Sequence, residues 1–440
     1  MIYYIIGDNG SSAEGTPNGC FNEMTTLNGM TNIETPEFLI SKIDKFGGPE
    51  AYNHYAVGWA HALCAPYKWT KQVASHWGST RNGAIVHWPN GIKAKGEIRA
   101  QFHHVIDVAP TVLEAAGLPQ PTIVNSVQQA PLEGVSMVYS FDDAKAADQH
   151  DLQYFEMFCN RGIYYKGWTA VTRHGIPWVM APLPPFEDDT WELYGPDDWT
   201  QARNIAKENP KKLRELQRLF LIEAVKYNVI PLDDRRVERL NPDLAGRPQL
   251  IRGNSQILFA GMGRLSENSV VNIKNKSHSV TAEVVVPDSG ASGVIIAQGG
   301  HIGGWTLYAY QGKLKYCYNF FGVKFFYAEA SSPIPTGKHQ VCMAFKYDGG
   351  GLAKGGAVSL YVDGAKVGEG RVEVTQPMAF SADETCNVGK DEGSPVSPDY
   401  RPHGNEFSGE VHWVQIDLEK DDQNHLISPE ERFKVAMARQ

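Results

Sequence analysis

The sequence predicts three kinds of fold in succession: an α/β region, a small α+β subdomain and an all-β sandwich. Three observations predict this. Continuous apolar runs at 1–6 and 83–88 each end in a polar or Pro turn. A helical-period stretch opened by Pro210 follows a set of short aromatic runs. From about residue 269, short alternating runs recur between Gly-rich turns. At 440 residues the chain exceeds what one hydrophobic core supports, so several domains are expected. Hydrophobic residues at 42% and charged residues at 21% exclude a disordered, collagen-like or coiled-coil protein. The net charge is −9, with no block of Lys or Arg, which disfavours nucleic acid and anionic membranes as partners. No apolar run approaches the roughly 20 residues of a spanning helix. The apolar start also lacks the basic flank of a signal peptide. A soluble protein is expected, cytoplasmic or periplasmic. The six cysteines are scattered with no CxxC pair, which argues against a disulfide framework or zinc site.

In chain order, Met1-Ile2-Tyr3-Tyr4-Ile5-Ile6 reads as a parallel strand buried on both faces. Gly83-Ala84-Ile85-Val86-His87-Trp88 reads as a second. Val105, Val108, Val112, Leu113 and Ala116 have helical period, ended by Gly117 with Pro119 behind it. Two such strands are few for a doubly wound domain, so 1–150 is expected to be the second half of an α/β domain. Residues 151–230 suit a small antiparallel sheet and a helix whose Leu213, Leu216, Phe220, Ala224 and Tyr227 share one face. The Pro- and charge-rich stretch 231–268 reads as a linker. The β-sandwich is expected over 269–440, with Asp363-Gly364 as a tight hairpin.

The turn Gly7-Asp8-Asn9-Gly10 follows the first strand, where open α/β sheets place ligands. Its carboxylate and amide oxygens suit a hard cation such as Ca²⁺ or Mg²⁺. Residues 4–15 around this turn, Gly58-Trp59-Ala60-His61-Ala62, the run from Lys71 to Gly83 and the run from Gln101 to Thr111 together resemble arylsulfatases, of the alkaline phosphatase superfamily. The C-terminal part resembles the laminin-G/concanavalin-like module.

The resemblance implies a partial alkaline-phosphatase-like sulfatase domain that hydrolyses sulfate monoesters of small molecules. It places the metal ligands at Asp8 and Asn9, with Asp8 also holding the nucleophile, and the sulfate contact at Lys71. His76 and Arg81 either line the anionic pocket or brace a loop. The formylglycine expected in the family needs a C-x-P-x-R type motif, and the nearest match, Cys64-Ala65-Pro66-Tyr67-Lys68, has Lys in place of Arg. The reading is therefore a chain inactive alone and complemented by a missing N-terminal sulfatase half. Its alternatives are a non-catalytic carbohydrate-binding remnant, with glycan at the sandwich, and a phosphate or phosphonate monoester hydrolase. Asp383, Glu384 and Asp391 form a candidate second metal site, or merely a solvated acidic loop.

Overall fold

The computed structural model describes residues 1–179, 183–246 and 248–419; the part of the expected sandwich beyond 419 lies outside the described residues. The chain groups into two compact units, Met1–Pro17 with Tyr55–Asp234, and Asn18–His54 with Arg235–Gln440. Residues 18–54, within the range read as α/β, are thus grouped with the C-terminal unit.

In the first unit, β1 (Ile2–Ile6) pairs with β2 (Gly83–His87), Ile2 opposite His87 and Ile6 opposite Gly83. The pair is antiparallel and largely exposed, not parallel and buried; Ile2, Tyr4, Ile6 and Ile85 are each more than half exposed. An apolar run records that both faces suit burial. It does not record the direction of the partner, which depends on how the connection returns. Here the connection folds back on itself. Gly10 N donates to Ser79 O at 2.6 Å, continuing the antiparallel register past the strand ends.

The helix Val108–Ala115 ends as expected: Gly117 adopts φ +65° and Leu118 N donates to Leu113 O at 2.9 Å. A short hairpin joins β3 (Ile123–Val124) to β4 (Val127–Gln128). The small antiparallel sheet runs in the order β5 (Leu152–Met157), β6 (Asn160–Tyr165), β7 (Trp168–Thr172), β8 (Trp191–Tyr194). Alternation gives it two distinct faces. Ile163, Ala170 and Leu193 pack on Leu216, Phe220 and Ala224 of the helix Pro210–Lys226. Gly162, Tyr164, Glu192 and Tyr194 belong to the opposite face, which receives the segment 68–77 and Phe102.

The second unit is an 11-stranded antiparallel sheet. Its strands are β9 (Ser255–Phe259), β10 (His278–Val286), β11 (Gly293–Gly300), β12 (Gly303–Tyr310), β13 (Lys313–Phe320), β14 (Lys324–Pro333), β15 (Gly337–Tyr347), β16 (Lys354–Val362), β17 (Ala365–Val374), β18 (Cys386–Val388) and β19 (Glu410–Leu418). They are ordered β18-β11-β12-β13-β14-β17-β16-β15-β10-β19-β9. One apolar core gathers inward residues of nearly all of them, among them Val280, Ile295, Trp305, Tyr316, Met343 and Leu360. Asp363 (φ +48°) and Gly364 (φ +80°) make the tight turn between β16 and β17.

Residues 18–54 enter this core through Met24, fully buried within it. Asn22 Nδ2 donates to the carbonyls of Ile302 and Phe321, both at 2.9 Å. From Arg235 the stretch read as a linker also joins this unit. Leu244 packs on Met378, and Asn241 Nδ2 donates to Pro377 O at 2.9 Å.

Candidate functional site

The turn after β1 is held by backbone contact alone. An ideal Cβ on Gly10 would stand 1.8 Å from Gly78 O, so glycine is required by close approach. Beyond it, Lys71 N donates to Ser11 O at 3.1 Å, and Ser11 N donates to Cys64 Sγ at 3.3 Å. These bonds bring Lys71 and Cys64 alongside the residues that follow Asp8 and Asn9. The Asp8 side chain is exposed and Asn9 is half-buried. Neither has a side-chain hydrogen-bond partner among the described residues.

Lys71 is already paired. Its ammonium lies 3.1 Å from Glu14 Oε2, and Gln72 Nε2 donates to the other oxygen of that carboxylate. Burial alone would raise the Glu14 pKa; the Ser12 hydroxyl, Lys71 and Gln72 more than offset it and hold the carboxyl low. No sequence motif announces this pair. The only signal was Ser12 two residues before Glu14.

His76 is fully buried, with Nδ1 2.8 Å from Ser75 Oγ. Its Nε2 faces Glu192 at 3.7 Å, too long for a hydrogen bond. Burial pushes the His76 pKa down, so the ring is neutral at pH 7. Glu192 is held low, at about 2, by the facing His76 and further by the Tyr194 hydroxyl. No motif announced Glu192, which reaches His76 from β8 across 116 residues of sequence. Arg81 lies beside the Tyr67 and Trp199 rings, 5.6 and 5.9 Å from their centres, and donates to Trp199 O at 3.0 Å. Cys64 is buried, 7% exposed, and its sulfur faces the Ser11 amide.

Asp107 orders the start of its helix. It accepts from His104 N at 2.9 Å and Val135 N at 2.8 Å, with His150 Nδ1 at 2.8 Å and His103 Nδ1 at 3.3 Å. The sequence did not link His150 to this cluster. In the second unit, Asp383 accepts from Tyr52, Glu384 from Ser394, and Asp391 from Val396 N and Tyr400. Their carboxylate oxygens do not gather within 4.8 Å of one another. Among the described residues, no helix is long and apolar enough to cross a membrane.

Residues 1–118 match the protein-family model described as Sulfatase. All of Asp8, Asn9, Glu14, Cys64, Lys71, His76, Arg81 and Asp107 fall inside this stretch. The chain is also similar to an uncharacterized sulfatase of Schizosaccharomyces pombe, 26% identical over 201 residues, 45% of this chain. The match spans only 34% of that relative's length. Among solved structures, the chain is similar to a SAP-like pentraxin of Limulus polyphemus at 14% identity, covering 39% of this chain and 80% of that one, with a TM-score of 0.25. It is similar to the CBM40 of a Ruminococcus gnavus sialidase at 10% identity, covering 40% and 96%, with a TM-score of 0.28. The residues matched by the Sulfatase model include the turn at Gly10 and the backbone bond from Lys71 to Ser11.

Proposed function

We propose that the first unit carries a sulfate-ester site of the arylsulfatase type, with Asp8 and Asn9 as ligands of a divalent cation and Lys71 as the sulfate contact. The observation that supports this reading is the backbone bond from Lys71 to Ser11, two residues after Asn9. A carboxylate and an amide oxygen without side-chain partners among the described residues fit Ca²⁺ or Mg²⁺ in donor chemistry. They fall short of the six to eight oxygens that Ca²⁺ takes, so affinity is weak. When bound, the cation polarises the sulfate oxygens.

The chain's own residues do the rest. Lys71 exchanges Glu14 for the sulfate and neutralises its charge as it develops. Glu14 keeps the ammonium oriented while the site is empty. Neutral His76 cannot contribute a full charge, and buried Cys64 cannot present its sulfur to substrate. No C-x-P-x-R motif occurs in the 440 residues, so the residues present do not fit a formylglycine, and this chain is proposed not to turn over alone. Phosphate and phosphonate monoesters are the rival substrates for the same donor set. A non-catalytic, glycan-binding role for the sandwich is the rival for the whole chain.

Calorimetric titration of inorganic sulfate with Ca²⁺ present tests the reading. Binding is expected that weakens without Ca²⁺ and vanishes in Asp8→Ala and Lys71→Ala. Sulfate binding indifferent to both substitutions overturns the site. Nitrophenyl sulfate turnover that is lost on Cys64→Ala overturns the inactivity.

A further inference from the structure

The helix Pro210–Lys226 covers the sheet face opposite the one that receives segment 68–77. Its outward side carries Lys211, Arg214 and Arg218, all exposed and without an ion-pair partner among the described residues. With Tyr165, Glu215 and Leu219 they line an open groove of about 520 Å³. Glu215, which also lines the groove, is paired with Lys212 at 2.9 Å. Between 207 and 218 five cations face two carboxylates, in a chain whose net charge is −9. Lys212 also stands over the Tyr165 and Trp168 rings, 5.3 and 5.7 Å from their centres.

We propose that this groove docks a strand of sulfated polysaccharide. The proposal deepens the sulfate-ester reading by naming a polymeric class of substrate. Residues 211, 214 and 218 fall on one helix face across about 10 Å. That spacing meets successive charges on an extended chain rather than one small anion. Guanidinium groups take sulfate oxygens in pairs. The groove lies on the helix side of the sheet, opposite segment 68–77, so it anchors the polymer while a distant sulfate reaches the site. Downstream on the same helix Leu221, Ile222 and Val225 are exposed, which makes an anionic bilayer the competing partner to be tested.

The experiment titrates the full chain with dextran sulfate, uncharged dextran, a single-stranded DNA oligomer and phosphatidylserine vesicles. Dextran sulfate is expected to bind, salt-sensitively, and dextran not at all. Affinity for dextran sulfate should fall about tenfold or more in Lys211→Glu/Arg214→Glu/Arg218→Glu and in the milder triple Gln variant. Unchanged affinity in both variants overturns the groove, as does equal or tighter binding of DNA or vesicles. Sulfate binding at Lys71 is read separately. Its loss with the groove intact refutes the sulfate-ester site alone, and the reverse refutes the groove alone.

Discussion

Lys71 Nζ and Glu14 Oε2 lie 3.1 Å apart, so the lysine proposed to contact sulfate is held by an internal carboxylate. The pair is partly buried, and breaking it is part of any anion-binding event at this site. Glu14→Gln should therefore tighten sulfate binding by about 1 kcal/mol, roughly fivefold, since that is the scale of a partly exposed pair. Lys71→Ala should abolish it. Unchanged affinity in Glu14→Gln, measured by calorimetry, would show that the carboxylate does not compete.

Gly10→Ala should be costly although Gly10 does not adopt a positive φ. The added methyl meets the Gly78 carbonyl, and two backbones must part. A loss of about 2–4 kcal/mol is expected, together with loss of Ca²⁺-dependent sulfate binding. Chemical denaturation and calorimetry check the two effects; a fully stable variant removes the close approach as a determinant of the site.

Asp107→Ala leaves two amides and two imidazoles without their acceptor. Buried ion pairs broken on one side cost about 3–5 kcal/mol, and a comparable loss is expected here. Burial lowers the His150 pKa, but Asp107 outweighs it and the net shift is upward. That contribution is complete below the ordinary histidine value of about 6.5 and is lost as pH rises through the folded pKa. Proton NMR should find the His150 titration moved down in Asp107→Asn.

Asp391 is buried, and its carboxyl is pushed up to about 6, with Oδ1 lacking a partner. The folded state therefore holds a proton that the unfolded state, with an aspartate pKa of about 3.9, has released. Stability of the second unit should fall as pH rises from about 4 to about 6, then level off. Asp391→Asn should remove that slope in denaturation followed by tryptophan fluorescence. A slope that survives the substitution would place its origin elsewhere.

The local signals in the sequence were sufficient for much of this molecule. Asp363-Gly364 demanded a tight hairpin because both residues tolerate positive φ, and the turn is there. Leu216, Phe220 and Ala224 recur at helical period and are the buried face of their helix. Gly117 ends its helix because only a left-handed residue lets the chain turn back there. The motifs around Asp8 and Lys71 lie within residues 1–118, the stretch that matches the Sulfatase family model. Tertiary structure decided what depends on distant partners. The apolar run of β1 stated a preference for burial, but its antiparallel pairing with β2 followed from the return path through Gly10 and Ser79. Glu192 meets His76, and Asn22 meets Ile302 and Phe321, across separations no periodicity encodes. Propensity and pattern act over a few residues, whereas register, pairing direction and the partner of a buried charge are set by the whole chain's packing.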